Sequence, residues 1–305
     1  MPLNYTVLDV FTDTSFDGNP LAVVSDADEL TTPQMQAIAR EFNLSETVFV
    51  TKPSNPAHTA AIRIFTPNSE LPFAGHPTVG TAVLLAEQRV WRSGGGATCD
   101  ALIVLEAKSG VLRIAARKTP GEAAYAEFDT PKLPEIAGMP APDDRLAAAL
   151  GLAPSEIGFE NHKPSRFAAN LPFTFVPVSG LEPMRRARII HAYWQDAFGG
   201  DSLQAAYLYC RQTVKYKASF HVRVFVPAVG APEDPATGSA AAAFAGVIMR
   251  FDNPPDGTCK SVIEQGIEMG RPSQIRLEFE VAARKIRAVR IGGQAVITMR
   301  GELFI

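Results

Sequence analysis

Two short strings occur twice in this chain, in the same order and half a chain apart. Arg63-Ile-Phe-Thr-Pro67 is echoed by Arg223-Val-Phe-Val-Pro227. After a short loop each copy continues into a second shared string, Gly75-His-Pro-Thr-Val-Gly-Thr-Ala82 in the first and Glu233-Asp-Pro-Ala-Thr-Gly-Ser-Ala240 in the second. Aligned on Pro77 and Pro235, Gly80 falls on Gly238, Thr81 on Ser239 and Ala82 on Ala240, an offset of 158 residues against 160 for the strand strings. One five-residue match can arise by chance, but two in the same order rarely do. A repeat of this period marks a duplicated supersecondary unit, so the 305 residues divide into two similar domains with pseudo-twofold symmetry.

Each copy reads as strand, loop and helix. In Phe220 to Pro227, residues Phe220, Val222, Val224 and Val226 fall on one face, the period of a strand with one buried side. Pro77 and Pro235 suit the first position of a helix, where a missing N–H costs nothing, which puts His76 and Asp234 at the N-caps. The helical stretches themselves, Val79 to Ala86 and Ala240 to Met249, are apolar all round, and a helix without a polar face must be buried. Short strand-like runs recur elsewhere, at Val7 to Val10, Ala22 to Val24, Thr47 to Val50, Leu102 to Leu105, Val111 to Ala115, Thr174 to Val178, Ala206 to Tyr209, Ile275 to Val281, Ala288 to Ile291 and Ala295 to Met299. Many short strands around one buried helix per half describe an α+β fold, not a doubly wound parallel sheet. Thr119 to Pro142, rich in Pro, Gly and Ala, is the expected crossover between halves. Further helices are expected from Thr32-Pro33 to about Asn43, from Pro142 to Leu152 and from Pro183 to Phe198.

Composition narrows the partner. The 29 basic and 32 acidic side chains give a net charge of -3, which provides no field to gather nucleic acid or an anionic membrane surface. A small molecule is the default partner. Cys99, Cys210 and Cys259 are too few and scattered for a disulfide framework and include no CxxC pair, which fits a reducing cytosol. The N-terminal Met-Pro-Leu-Asn-Tyr has no signal-peptide pattern, and the longest apolar run, Ala240 to Met249, is half a membrane span. The chain is expected to be soluble and cytoplasmic.

Two buried helices starting at related positions in symmetric domains are expected to bring their N-termini together at the domain interface. Each presents unpaired N–H groups and partial positive charge, a setting for an anion, with a carboxylate first and a phosphate second. Gly80 and Gly238 would let the backbone approach such a ligand, and the hydroxyls of Thr81 and Ser239 could add donors. The copies differ at the expected caps. His76, beside Gly75, is a possible proton carrier or a structural histidine; Asp234, beside Glu233, is a second candidate or simply a good N-cap. Glu46, in Asn43-Leu-Ser-Glu-Thr-Val-Phe-Val50, is the third. If Glu46, Val48 and Val50 face inward, burial raises its pKa toward the range useful for taking up and returning a proton; with Thr47 and Phe49 inward it is a surface charge. Gly94-Gly-Gly96 reads as a surface turn and Arg185-Arg-Ala-Arg188 as a solvated helix face. No HExxH, GxSxG, GxGxxG or EF-hand string is present, and neither a metal nor a cofactor is expected.

These strings resemble the PhzF family of phenazine-biosynthesis-like isomerases. The resemblance is carried by Asp9-Val-Phe-Thr-Asp13, Gly18 to Val24, Ser45 to Val50, Phe73 to Gly80, Glu233 to Ala240, Gly266 to Ser273 and Ile291-Gly-Gly-Gln-Ala295, and so runs from the first strand to the last. It implies a diaminopimelate epimerase-like fold of two pseudo-symmetric domains, each an antiparallel β-barrel around a central helix, with the site in the cleft between them. The implied partition is 1–125 plus 290–305, with its helix near 77–89, and 126–289, with its helix near 235–250. A homodimer is also implied.

The family's phenazine enzyme moves a proton on trans-2,3-dihydro-3-hydroxyanthranilate without cofactor or metal. By resemblance its general acid/base falls on Glu46, its histidine and adjacent glycine on His76 and Gly75, its aspartate on Asp234, and its helix-start carboxylate binders on Ser239 and its neighbour Ala240. Related racemases of this fold place a cysteine at the start of each central helix; the matching places here are read as Ala74 and Pro235, so a two-thiol mechanism is excluded. The expected activity is isomerisation of a small, ring-shaped carboxylic acid by one carboxylate. Alternatives are an isomerase or epimerase of an unrelated small acid, and a non-catalytic binding protein that kept the cleft.

Overall fold

The computed structural model describes residues 2–91, 97–200, 203–215, 217–229 and 232–305; the Gly94–Gly96 turn expected from sequence lies outside them. The chain forms two compact units, Met1–Asp129 with Gly292–Ile305, and Thr130–Ile291.

The first unit holds β1 (Leu3–Val10), β2 (Asn19–Val24), α1 (Thr32–Phe42), β3 (Glu46–Thr51), β4 (Ala60–Phe65), the short β5 (Glu70–Leu71), α2 (Gly75–Arg89), β6 (Cys99–Ala107), β7 (Gly110–Lys118) and β8 (Ala124–Asp129). The second holds β9 (Glu135–Ile136), α3 (Asp143–Leu150), β10 (Ser165–Ala168), β11 (Pro172–Pro177), α4 (Leu181–Arg186), α5 (His191–Phe198), β12 (Ala206–Cys210), β13 (Phe220–Phe225), β14 (Glu233–Asp234), α6 (Gly238–Phe251), β15 (Gly257–Gln265) and β16 (Ser273–Ala282). The long β17 (Lys285–Leu303) starts in the second unit and ends in the first.

In the first unit β1 pairs antiparallel with β2, β2 parallel with β3, β3 antiparallel with β4, β4 parallel with β6, and β6 and β7 antiparallel with their successors. Pairing of β17 with both β8 and β1 closes the ring into an eight-stranded barrel. The second unit repeats the order of senses: β10 with β11 antiparallel, β11 with β12 parallel, β12 with β13 antiparallel, β13 with β15 parallel, β15 with β16 antiparallel. The sheets are therefore mixed, where a purely antiparallel barrel was expected. A strand can run parallel to its neighbour only if a crossover returns the chain to the same end; α1 does this between β2 and β3, α4 and α5 between β11 and β12, and the central-helix segments between β4 and β6 and between β13 and β15.

Each unit has an inner and an outer helical layer. α2 packs against β1, β2, β3, β6, β7 and β8, with every residue from Gly75 to Ala86 buried. In the second unit α6 places Phe244 among Phe175, Tyr207, Tyr209 and Phe220, at ring-centroid distances of 4.8–5.8 Å. Outside, Met35 and Ile38 of α1 lie on Val24, Phe49 and Phe65, and α3, α4 and α5 lie on Val176, Leu208 and Phe225.

Two-sided cover explains where alternation misleads. β13 is buried at all six positions, not on one face: Val222 and Val224 look in with Tyr209 and Tyr207, their pairing partners on β12, while Phe225 looks out into the outer cluster. β3 is likewise buried at Thr47, Val48, Phe49 and Val50, so both candidate phases of its pattern are apolar.

Local signals account for the elements and their limits. Thr31, one residue before the expected cap, caps α1 in a capping box with Gln34, and Asn43 ends it in the left-handed region at φ 51°. The helix expected over Pro183 to Phe198 is two helices, interrupted between Arg186 and His191, and the expected crossover Thr119 to Pro142 contains β8 and β9. The runs at Ala288 and Ala295 are one strand, β17.

Gly80 serves packing within the first unit. A Cβ there would sit 2.7 Å from both Leu21 Cδ2 and Val10 Cγ2, so the glycine lets α2 press directly on β1 and β2. Gly80→Ala is expected to cost about 1–2 kcal/mol, the overpacking strain less the helix-propensity gain, seen as a lower denaturant midpoint at unchanged slope.

No helix among the described residues is long and apolar enough to cross a membrane, and none of their His, Cys, Asp and Glu side chains group in threes suited to a metal.

Candidate active site

In the first unit the site is built from the start of β3 and the start of α2. Glu46 is the first residue of β3 and pairs laterally with Leu21 of β2. Leu21 faces α2, since it lies against Gly80, and register partners on neighbouring strands share a face, so Glu46 points to the α2 side as well. There Glu46 Oε2 lies 3.4 Å from His76 Nε2, with side-chain exposures of 17% and 5%.

His76 is not the N-cap. Ala74, extended at φ -150°, occupies that position, and α2 begins at Gly75 with His76 inside its first turn. Pro77 is the third helical residue, where the N–H is still one of the four without an intrahelical acceptor, so proline does not mark the helix start. Burial alone pushes the His76 imidazole down to about 3. It is neutral at physiological pH, and its approach to Glu46 is a contact of a neutral ring with a carboxyl group. Thr78 Oγ1 donates to Ala74 O at 2.8 Å, tying the cap to the second turn, while Ala74 offers no side chain to the first amides.

In the second unit Asp234 is likewise not a cap. It lies in β14, pairing with Val224 while Glu233 pairs with Phe225. Three residues later Thr237 is the N-cap of α6. Its side chain turns back, Oγ1 donating to Asp234 Oδ2 at 2.6 Å, and makes no capping bond to the helix. Gly238, Ser239 and Ala240 form the first turn, so their N–H groups have no intrahelical acceptor; Ser239 is half-buried.

The structural repeat has a different register from the one read in sequence. Arg63 forks onto Glu70, Nε to Oε1 at 2.8 Å and NH2 to Oε2 at 3.0 Å; Arg223 forks onto Glu233 at 2.8 Å for both. Glu70 pairs with Phe65, and Glu233 with Phe225. Five residues after each glutamate a central helix begins, at Gly75 and at Gly238. The structure thus equates Gly75 with Gly238 and His76 with Ser239 at an offset of 163, not His76 with Asp234 at 158. The reason is loop length: the arginine-to-glutamate segment is three residues longer in the second copy. Thr81 correspondingly lies inside α2, fully buried, and is not a helix-start donor. The residue matching Ala74 is Thr237 instead of Pro235, and neither is cysteine.

Two polar groups escaped the sequence reading. Gln265, 1% exposed at the end of β15, clamps the loop before α6: its Nε2 donates to Asp234 O at 2.7 Å and to Thr237 Oγ1 at 3.0 Å, and its Oε1 accepts from Thr237 N at 3.1 Å. Ser273 Oγ donates to Pro235 O at 2.7 Å. Gln265 immediately precedes, and Ser273 ends, the Gly266 to Ser273 string that carries the resemblance, and nothing in that string discloses these bonds.

Residues 8–301 match the model of the family described as phenazine biosynthesis-like protein, PhzC-PhzF. The chain belongs to that family. It is 52% identical to an uncharacterized isomerase of Mesorhizobium japonicum and 35% identical to the trans-2,3-dihydro-3-hydroxyanthranilate isomerase of Pseudomonas fluorescens, each over 99% of both chains. The crystal structure of the Bacillus anthracis phenazine biosynthesis protein of the PhzF family superposes with a TM-score of 0.89 over 100% of both chains, at 24% identity. The two α+β units of like topology are therefore the fold of the phenazine biosynthesis-like family.

Proposed function

We propose that this protein is an isomerase that moves a proton on a small, ring-shaped carboxylic acid of the trans-2,3-dihydro-3-hydroxyanthranilate type, with Glu46 as the proton carrier. The observation that carries this reading is the pair at the α2 start: a carboxyl group 3.4 Å from an imidazole that burial keeps neutral. A neutral histidine can donate or accept a hydrogen bond without competing for the migrating proton. Glu46 takes a proton from a ring carbon, the C–H electron pair enters the conjugated system, and the proton returns from Glu46 to a different carbon. The carboxylate of the substrate is held by the amides of Gly238, Ser239 and Ala240 with the Ser239 hydroxyl, and Asp234 orients a polar substituent. The 35% identical Pseudomonas relative, named for this isomerisation, supports the substrate class.

The test is incubation of the purified protein with trans-2,3-dihydro-3-hydroxyanthranilate and a panel of cyclic carboxylic acids in heavy water, with mass spectrometry as the readout. Consumption of the dihydro acid, with deuterium entering at carbon, is expected. Turnover confined to another acid would move the substrate assignment, and absence of both turnover and exchange across the panel would leave a binding protein. Ser239→Ala is expected to raise KM about tenfold with kcat nearly unchanged, the loss of one hydrogen bond to a charged group.

A further inference from the structure

The loop from Glu233 to Thr237 is tied down at Glu233, Asp234, Pro235 and Thr237. Glu233 is held by strand pairing and by Arg223, the Pro235 carbonyl by Ser273, and Thr237 by the Gln265 amide on its N–H and hydroxyl together. Gly266, at φ 76°, permits the approach: a Cβ there would lie 2.6 Å from Pro235 O.

The direction of the hydrogen bonds around Gln265 is forced. A backbone N–H can only donate and a backbone carbonyl can only accept. The Gln265 atom facing Thr237 N is therefore the carbonyl oxygen, and the atom facing Asp234 O is the amide nitrogen. The second hydrogen of that nitrogen goes to Thr237 Oγ1. The Thr237 oxygen accepts from Gln265, and its single proton goes to Asp234 Oδ2, 2.6 Å away, which accepts it.

We infer that Thr237 and Gln265 are positioning residues that hold Asp234 as an ionised hydrogen-bond acceptor, so that this carboxylate selects substrates presenting an N–H or O–H donor. The inference rests on the proposed role of Asp234 in the site. The other acidic groups on the elements packed here are engaged elsewhere, Glu233 by Arg223, and Glu264 and Glu268 by His221. Gln265 is itself locked between Val222 of β13 and Ser273 of β16, so the relay has one arrangement.

The test needs no turnover. In protein carrying carbon-13 at aspartate carboxyls, the Asp234 resonance is assigned by its loss in Asp234→Asn and tracked against pH. A hydrogen bond to the charged form favours that form, so in Thr237→Val the titration midpoint is expected about one pH unit higher than in wild type. Thr237→Ser, which keeps the hydroxyl, is expected to restore it, and Gln265→Met to shift it in the Thr237→Val direction by less. A midpoint unchanged in Thr237→Val, or one that Thr237→Ser does not restore, overturns the relay. Turnover of trans-2,3-dihydro-3-hydroxyanthranilate separates the two readings. If Asp234→Asn loses no activity, the site role of Asp234 fails; if it loses activity while Thr237→Val matches wild type in both titration and rate, only the relay fails.

Discussion

Glu46→Gln is expected to lower turnover by about a thousandfold, within the range that a positioned general acid/base contributes, while leaving the fold intact. The substitution is nearly isosteric, and the side chain lies at the first residue of β3, where the strand is held by pairing with both β2 and β4. An amide cannot take a proton from carbon, and the neighbouring imidazole cannot replace it. Burial pushes His76 down to about 3, so charging it at neutral pH costs several kcal/mol. The same depression means that His76 contributes no inflection to the pH profile between about pH 5 and 9, where its charge does not change. Measured kcat of the Gln variant decides the matter; retention of more than a tenth of the wild-type rate would place the proton carrier elsewhere. With Glu46 in its proposed role as the proton carrier, the loss is expected in kcat and kcat/KM together.

The duplication was legible because strand and helix start are short-range patterns that survive in the residues themselves. The register of the repeat was not. Two alignments compete, one matching Gly80 with Gly238 and one matching Gly75 with Gly238, and the first has more identities because it adds Pro77 on Pro235. Only pairing of Glu70 with Phe65 and of Glu233 with Phe225, a contact between strands, reveals that the second loop is longer. The inward phase of Glu46 was hidden for a related reason. Helical layers on both sides of β3 bury Thr47 and Val48 alike, so alternation of polarity, which reports one wet and one dry face, carries no signal. Gln265 and Ser273 were invisible because their roles depend on which backbone groups the fold delivers to them.

His221→Leu is expected to destabilise the second unit by about 3–5 kcal/mol, the usual cost of removing one partner from a buried ionic cluster. The side chain is fully buried; its Nδ1 lies 2.7 Å from Glu264 Oε1 and its Nε2 3.0 Å from Glu268 Oε1. Burial by itself lowers the imidazole's affinity for a proton, but the hydrogen bonds of both ring nitrogens to the two glutamates outweigh it and push His221 up to about 9. This sets the sign of the pH dependence. A folded-state value above the unfolded 6.5 means that the charged cluster contributes its full stabilisation below about pH 6.5 and loses it as pH rises toward 9, a change of about 3 kcal/mol. His76, with its value lowered, acts in the opposite window, weakening the fold as pH falls below 6.5. The Cys210 thiol, on the neighbouring strand beside His221, is pushed up from 9 to about 12, chiefly by burial, so its own loss of stability sets in only as the unfolded thiol ionises near pH 9, above most of the histidine's window. Denaturant unfolding at a series of pH values, combined with hydrogen exchange at β13 and β15, therefore isolates the histidine. Wild type is expected to lose stability between pH 6.5 and 9, and His221→Leu to start lower and stay flat across the same range. Equal slopes in the two proteins would mean that the cluster is not charged in the folded state.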